Sequence, residues 1–141
     1  FAASLARGET RTIPTITHAS DRDGRHRGST PIGLSKAQLD AVRGGMVRCV
    51  EEGTGRSARI QGLPIAAKTG TSEYFKKGEK AHLAWMIGYA PADNPVVAFC
   101  VLVEGQFDTD TWGGKTAGPV VKQMLETWAG TGEKQSTEPA R

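Results

Sequence analysis

Apolar positions along the chain fall first into a helical rhythm. Leu39, Val42, Met46 and Val50 recur every three or four residues, which predicts one buried helical stripe running to about Glu52. Its start is marked twice. Ser35-Lys36-Ala37-Gln38 fits a capping box with Ser35 as N-cap and Gln38 at N3, and Leu34 with Leu39 forms the flanking hydrophobic staple. Gly44-Gly45 inside this helix should each cost roughly 1 kcal/mol relative to Ala, and a close backbone approach on that face would account for them. Gly53-Thr54-Gly55 ends the element. The rhythm then shortens. Segments 65–71, 83–90 and 96–104 are β-prone, and residues 91–95 form a short Pro-bounded turn that makes the last two antiparallel neighbours. The charged stretch 72–82 reads as the loop of a hairpin. Residues 96–103 are apolar on both faces, which predicts a central strand covered on each side. A helical period returns at Gly118-Pro119, with Val120, Val121, Met124, Leu125 and Trp128 as its apolar stripe.

The flanks are less patterned. Phe1 to Arg7 resembles the last turns of a helix, and the missing initiator Met suggests a piece cut from something longer. Thr10 to Ile16 is β-prone, but Pro14 restricts it to an edge strand or an extended connector. Residues 20–31 read as loop, and 130–141 as a small, polar tail. One unit is therefore expected over 1–129, an α+β fold with helices packed on an antiparallel sheet, followed by a flexible tail over 130–141.

Composition narrows the function class. At 141 residues, 38% hydrophobic and 23% charged, the chain is one soluble globular unit with no apolar run long enough for a membrane span. The net charge is only +3. Its densest basic stretch, Arg22, Arg25, His26 and Arg27, is broken by Asp21 and Asp23 and lacks interleaved aromatics, so nucleic acid is not an expected partner. Cys49 and Cys100 read as buried small hydrophobes. His18, His26 and His82 are scattered without metal-ligand spacing, and neither a metal nor a cofactor is expected.

Chemistry concentrates in Lys68-Thr69-Gly70-Thr71, at the end of the first strand. Lysine supplies positive charge, the two hydroxyls supply donors, and glycine removes the side chain that would keep a ligand from the backbone. Such a strand can bind an anion or accept an extended peptide along its edge. As a bare tetrapeptide it reads more readily as a surface strand running into a glycine turn. A phosphate-binding P-loop is a poor alternative, because no glycine immediately precedes Lys68.

The neighbours of this tetrapeptide carry a resemblance. Ala67-Lys68-Thr69-Gly70-Thr71-Ser72-Glu73, then His82 through Pro91 with Trp85, Gly88 and Tyr89, then Asn94-Pro95 through Glu104, Gly113-Gly114 and Ala117-Gly118-Pro119 follow in order. Together they resemble the C-terminal part of the transpeptidase domain of class B penicillin-binding proteins, of the cell-elongation type, over roughly residues 1 to 129. The resemblance implies the C-terminal portion of a β-lactamase/transpeptidase-like fold. It implies an enzyme that cross-links peptidoglycan stem peptides through an acyl-serine and is trapped by β-lactams. The implied roles are Lys68 as a supporting group that hydrogen-bonds a second-motif serine and adds positive potential, Thr69 and Thr71 as carboxylate binders, Gly70 as clearance, and the Thr71 N–H as one oxyanion donor. Trp85 is read as a packing residue. Implied partners are stem peptides, β-lactams and other cell-wall synthesis proteins, with the parent protein in the bacterial periplasm and anchored in the inner membrane.

The pattern is interrupted in one respect. No serine in the chain has a lysine three positions later, and the only asparagine, Asn94, has Ala92 rather than serine two positions before it. Both the SxxK nucleophile and the SxN motif precede KTGT in the family. The expectation is therefore a truncated domain, inactive alone. The alternative readings are a fragment of a serine β-lactamase or β-lactam sensor, and a non-catalytic binding module of the same fold.

Overall fold

The computed structural model describes residues 1–8, 10–11, 30–76, 78–105 and 111–130. Helix α1 (Ala2–Arg7) leads to strand β1 (Thr10–Arg11), which pairs antiparallel with β2 (Thr30–Pro31). Helix α2 covers Lys36–Glu51, and strands β3 (Ala66–Lys76), β4 (Glu79–Ala90) and β5 (Val97–Glu104) follow. A π-type turn, Gly113–Ala117, feeds helix α3 (Gly118–Trp128). The three long strands form one antiparallel sheet in the order β3-β4-β5. The expected α+β packing of helices on an antiparallel sheet is what forms. Among the described residues no helix is long and apolar enough to cross a membrane. The basic stretch 22–27, Pro14 and the tail from 131 onward lie outside the described residues.

Strand alternation gives the sheet two unlike faces. Register partners share a face, so Ala66, Lys68 and Gly70 lie with Tyr89, Ile87 and Trp85, while Ala67, Thr69 and Thr71 lie with Gly88, Met86 and Ala84. On the first face Leu5 of α1 and Leu39 and Met46 of α2 pack around Ala66 and Tyr89. On the second, Ala58, Ala117, Val121 and Leu125 enclose Ala67, Ala84 and Met86. Val121 and Leu125 are fully buried, and each such side chain contributes about 1.5–3 kcal/mol relative to exposure.

Helix α2 begins as its sequence dictates. The Ser35 side chain accepts from the Gln38 N–H, and Gln38 Oε1 accepts from the Ser35 N–H at 2.9 Å. Leu34 packs on the cluster containing Leu39, completing the staple. The apolar stripe differs in one position. Leu39, Met46, Cys49 and Val50 are buried, but Val42 is exposed, and the neighbouring Arg43 turns inward to donate to the carbonyls of Leu5 and Ala6. In α3 only Val121 and Leu125 of the expected stripe are buried; Val120, Met124 and Trp128 face outward. The glycines of α2 also depart from expectation. A Cβ at Gly44 or Gly45 would meet nothing within 4 Å, so no close backbone approach explains them among the described residues.

Three further expectations are corrected. Residues 72–82 are not a loop: β3 runs to Lys76 and β4 starts at Glu79, because exposed cross-strand partners such as Glu73 and Lys80 (2.6 Å) support pairing well beyond the apolar stretch. Thr30–Pro31 is a short strand rather than loop. The central strand is β4, with β5 at the edge, and Cys100 is exposed beside Leu102 whereas Cys49 is buried. An apolar second face records that a surface suits burial, and among the described residues no layer covers that part of β5.

Candidate functional site

The KTGT residues occupy the free edge of the sheet, on β3. Beside them opens a cleft of ≈ 310 Å³ lined by Thr54, Thr69, Gly70, Thr71, Trp112, Gly113, Gly114 and Lys115. Three segments distant in sequence thus converge: the turn after α2, the edge strand, and the segment leading into α3.

Each contact between them has a local cause. Gly113 lies directly against β3, where a Cβ would come within 2.4 Å of the Gly70 carbonyl oxygen. Only glycine fits there, and the fit lets the Gly113 N–H donate to Thr71 Oγ1 at 3.0 Å. Gly114 lies against the Thr54 carbonyl in the same way, and its own carbonyl accepts from Ser57 Oγ. The 112–116 turn braces itself, with the Thr116 N–H donating to the Trp112 carbonyl at 2.7 Å. Trp112 also stacks on His82 of β4, with ring centroids 5.8 Å apart and planes inclined by 22°. On the other side of the cleft the hydroxyls of Thr54 and Thr69 lie 2.6 Å apart.

The four sequence-predicted residues do not all meet in this cleft. Thr69, Gly70 and Thr71 line it. Lys68 falls on the opposite face of the strand from the two threonines, and its ammonium donates to the Thr69 carbonyl at 2.6 Å. Trp85, next to Gly70 across the ladder, is half-buried and donates from Nε1 to Ser72 Oγ at 3.3 Å, consistent with a packing role. Five lining residues, Thr54, Trp112, Gly113, Gly114 and Lys115, lie outside the tetrapeptide. The double glycine is visible in the sequence, but nothing in a linear reading ties Thr54 to a partner fifteen positions away.

The cleft suits an anion. Hydroxyl and backbone donors line it, one lysine adds positive charge, and no carboxylate is among its lining residues. The nearest acid along that face of β3 is Glu73. It is bonded to Lys80, whose hydrogen bond holds its carboxyl below the ordinary carboxylate value, and it faces His82 at 3.7 Å. Its charge is therefore already countered within the hairpin.

Comparison with known proteins gives the family. A family model for the penicillin-binding protein transpeptidase domain matches residues 1–126. Stage V sporulation protein D of Bacillus subtilis is 35% identical over 95 residues, covering 65% of this chain and 15% of its own length. The peptidoglycan D,D-transpeptidase PbpA of Mycolicibacterium smegmatis is 34% identical over 125 residues, covering 86% of this chain and 23% of that protein. Among solved structures, the transpeptidase domain of the FtsI4 D,D-transpeptidase from Legionella pneumophila superposes with a TM-score of 0.68 at 28% identity. The match covers 91% of this chain and 43% of that domain. The chain therefore spans less than a quarter of either curated relative.

Proposed function

Since this chain belongs to the penicillin-binding protein transpeptidase family, of class B, we propose that it supplies the carboxylate-binding strand of a peptidoglycan D,D-transpeptidase. The observation that carries this reading is the cleft itself, with Thr69 and Thr71 facing it across Gly70 and no carboxylate in its lining. The terminal carboxylate of a D-Ala-D-Ala stem peptide, or of a β-lactam mimicking it, accepts from the two threonine hydroxyls. Gly70 lets the peptide lie against the strand edge, and the Thr71 N–H is one oxyanion donor. In this proposal Lys68, on the other face, adds positive potential and gives up its bond to the Thr69 carbonyl to hydrogen-bond the serine of an SxN motif outside the chain.

The reaction itself is an acyl transfer. A serine oxygen attacks the penultimate D-Ala carbonyl, terminal D-Ala leaves with a proton on its amine, and the amine of a neighbouring stem displaces the serine to form the cross-link. None of the 141 residues completes an SxxK or SxN motif, so this proposal assigns the nucleophile to sequence outside the chain. It also assigns the parent protein to the elongation type, working outside the cytoplasm in the periplasm and anchored in the inner membrane.

The test is covalent labelling by a fluorescent penicillin. The protein bearing the complete domain should be labelled, and labelling should vanish on prior treatment with unlabelled penicillin. The 141-residue chain alone should stay dark. A complete protein that resists labelling, or a labelled isolated chain, would overturn the assignment.

A further inference from the structure

Each carboxylate-facing threonine has a hydroxyl with one proton to donate and lone pairs to accept. An anion can only accept, so Thr69 and Thr71 serve it only if their own protons are directed into the cleft. At Thr71 this is arranged from behind, because the Gly113 N–H occupies an acceptor site of Oγ1 at 3.0 Å. Thr69 has a corresponding partner. Thr54 Oγ1 lies 2.6 Å from Thr69 Oγ1, a short O–H···O separation. With an anion taking the Thr69 proton, the shared bond can run only from Thr54 to Thr69.

We propose that Thr54 is a positioning residue of the anion site, donating its hydroxyl proton to Thr69 and so aiming the Thr69 proton at the ligand carboxylate. The inference rests on the transpeptidase reading above and deepens it. Thr54 is well placed for the task. The Gly55 N–H bonds the Cys49 carbonyl at 2.8 Å, fixing the turn, and Gly114 packs against the Thr54 carbonyl so closely that a Cβ would lie 2.0 Å from its oxygen. Cys49 Sγ lies 3.5 Å from Thr54 Oγ1 and can return a weak S–H donation, which leaves the Thr54 proton for Thr69.

The experiment measures second-order acylation of the protein bearing the complete domain by benzylpenicillin and by its methyl ester, which lacks the carboxylate. Thr54→Val, which keeps the shape and removes the hydroxyl, should slow acylation by the acid about three- to tenfold, the worth of one hydrogen bond. It should leave the ester rate unchanged. Thr54→Ser should restore the acid rate. In a Thr69→Val background, Thr54→Val should add no further loss, because its partner is gone. A folding defect would show as equal losses with acid and ester, and Thr54→Ala under the same comparison repeats the test with a smaller side chain. Equal losses in both variants, a wild-type acid rate in Thr54→Val, or additive losses with Thr69→Val would each overturn the proposal. Failure of the unmodified protein to acylate at all would instead remove the transpeptidase reading, and this inference with it.

Discussion

Tyr89 is the residue whose environment is most at odds with its chemistry. It is 1% exposed, and its hydroxyl has no hydrogen-bond partner among the described residues. The nearby Arg43 guanidinium is already engaged by the carbonyls of Leu5 and Ala6, at 2.5–3.0 Å. Burial pushes the phenol pKa up, and Arg43, close enough for its charge and its N–H dipole to act on the hydroxyl but outside hydrogen-bond geometry, opposes that only in part. A buried unpaired hydroxyl loses its water without replacement, so removing it should not harm the fold. Tyr89→Phe is expected to leave stability unchanged or to raise it by up to about 1 kcal/mol in urea denaturation. A loss of that size would mean the hydroxyl has found a partner. No pattern in the sequence distinguishes this tyrosine from one with a satisfied hydroxyl, because the distinction depends on where Arg43 is drawn.

Among the elements, α2 and the β3–β4 hairpin show opposite relations between sequence and structure. The start of α2 was legible because a capping box and staple are local devices, complete within six residues. Its glycines were misread, since a helical glycine signals close approach only if something approaches. At Gly45, which is exposed and whose Cβ would meet nothing within 4 Å, the backbone entropy cost remains without a packing return. Gly45→Ala should therefore stabilise the chain by about 0.5–1 kcal/mol, read as a higher denaturation midpoint at unchanged slope. A destabilised variant would show that the face is occupied. The hairpin erred the other way. Its distal half is polar, so composition suggests loop, yet Glu73 bonds Lys80 across the hairpin and Tyr74 reaches over β4 to Glu104 of β5 (2.6 Å), holding the strands together.

At the scale of the whole molecule, two apolar surfaces stand open among the described residues. One is the face and outer edge of β5, with Leu102 48% exposed, Cys100 beside it and Val96, just before the strand, 71% exposed. The other is the outward stripe of α3, Val120, Met124 and Trp128. An uncovered edge strand with an apolar face is an association site. The isolated 141-residue chain should therefore enhance the fluorescence of a hydrophobic dye and sediment as a mixture heavier than monomer. A clean monomer without dye binding would show these surfaces to be tolerated by water.

The boundary between sequence and structure follows the range of each interaction. Helix caps, the helical period of α2 and α3, the antiparallel connection of β4 and β5 and the KTGT strand depend on residues close in the chain, and the sequence by itself determined them. Which strand lies in the centre, which half of each helical stripe is covered, and which cysteine is buried depend on neighbours brought from elsewhere. The site divides along the same line. Thr69, Gly70 and Thr71 are legible as a polar strand end open to a ligand, but the cleft they line exists only because Gly113 and Gly114 can press against Gly70 and Thr54. Close packing across such distances in sequence leaves no local pattern, so only the tertiary structure could place Thr54 behind Thr69 and Lys68 on the other face.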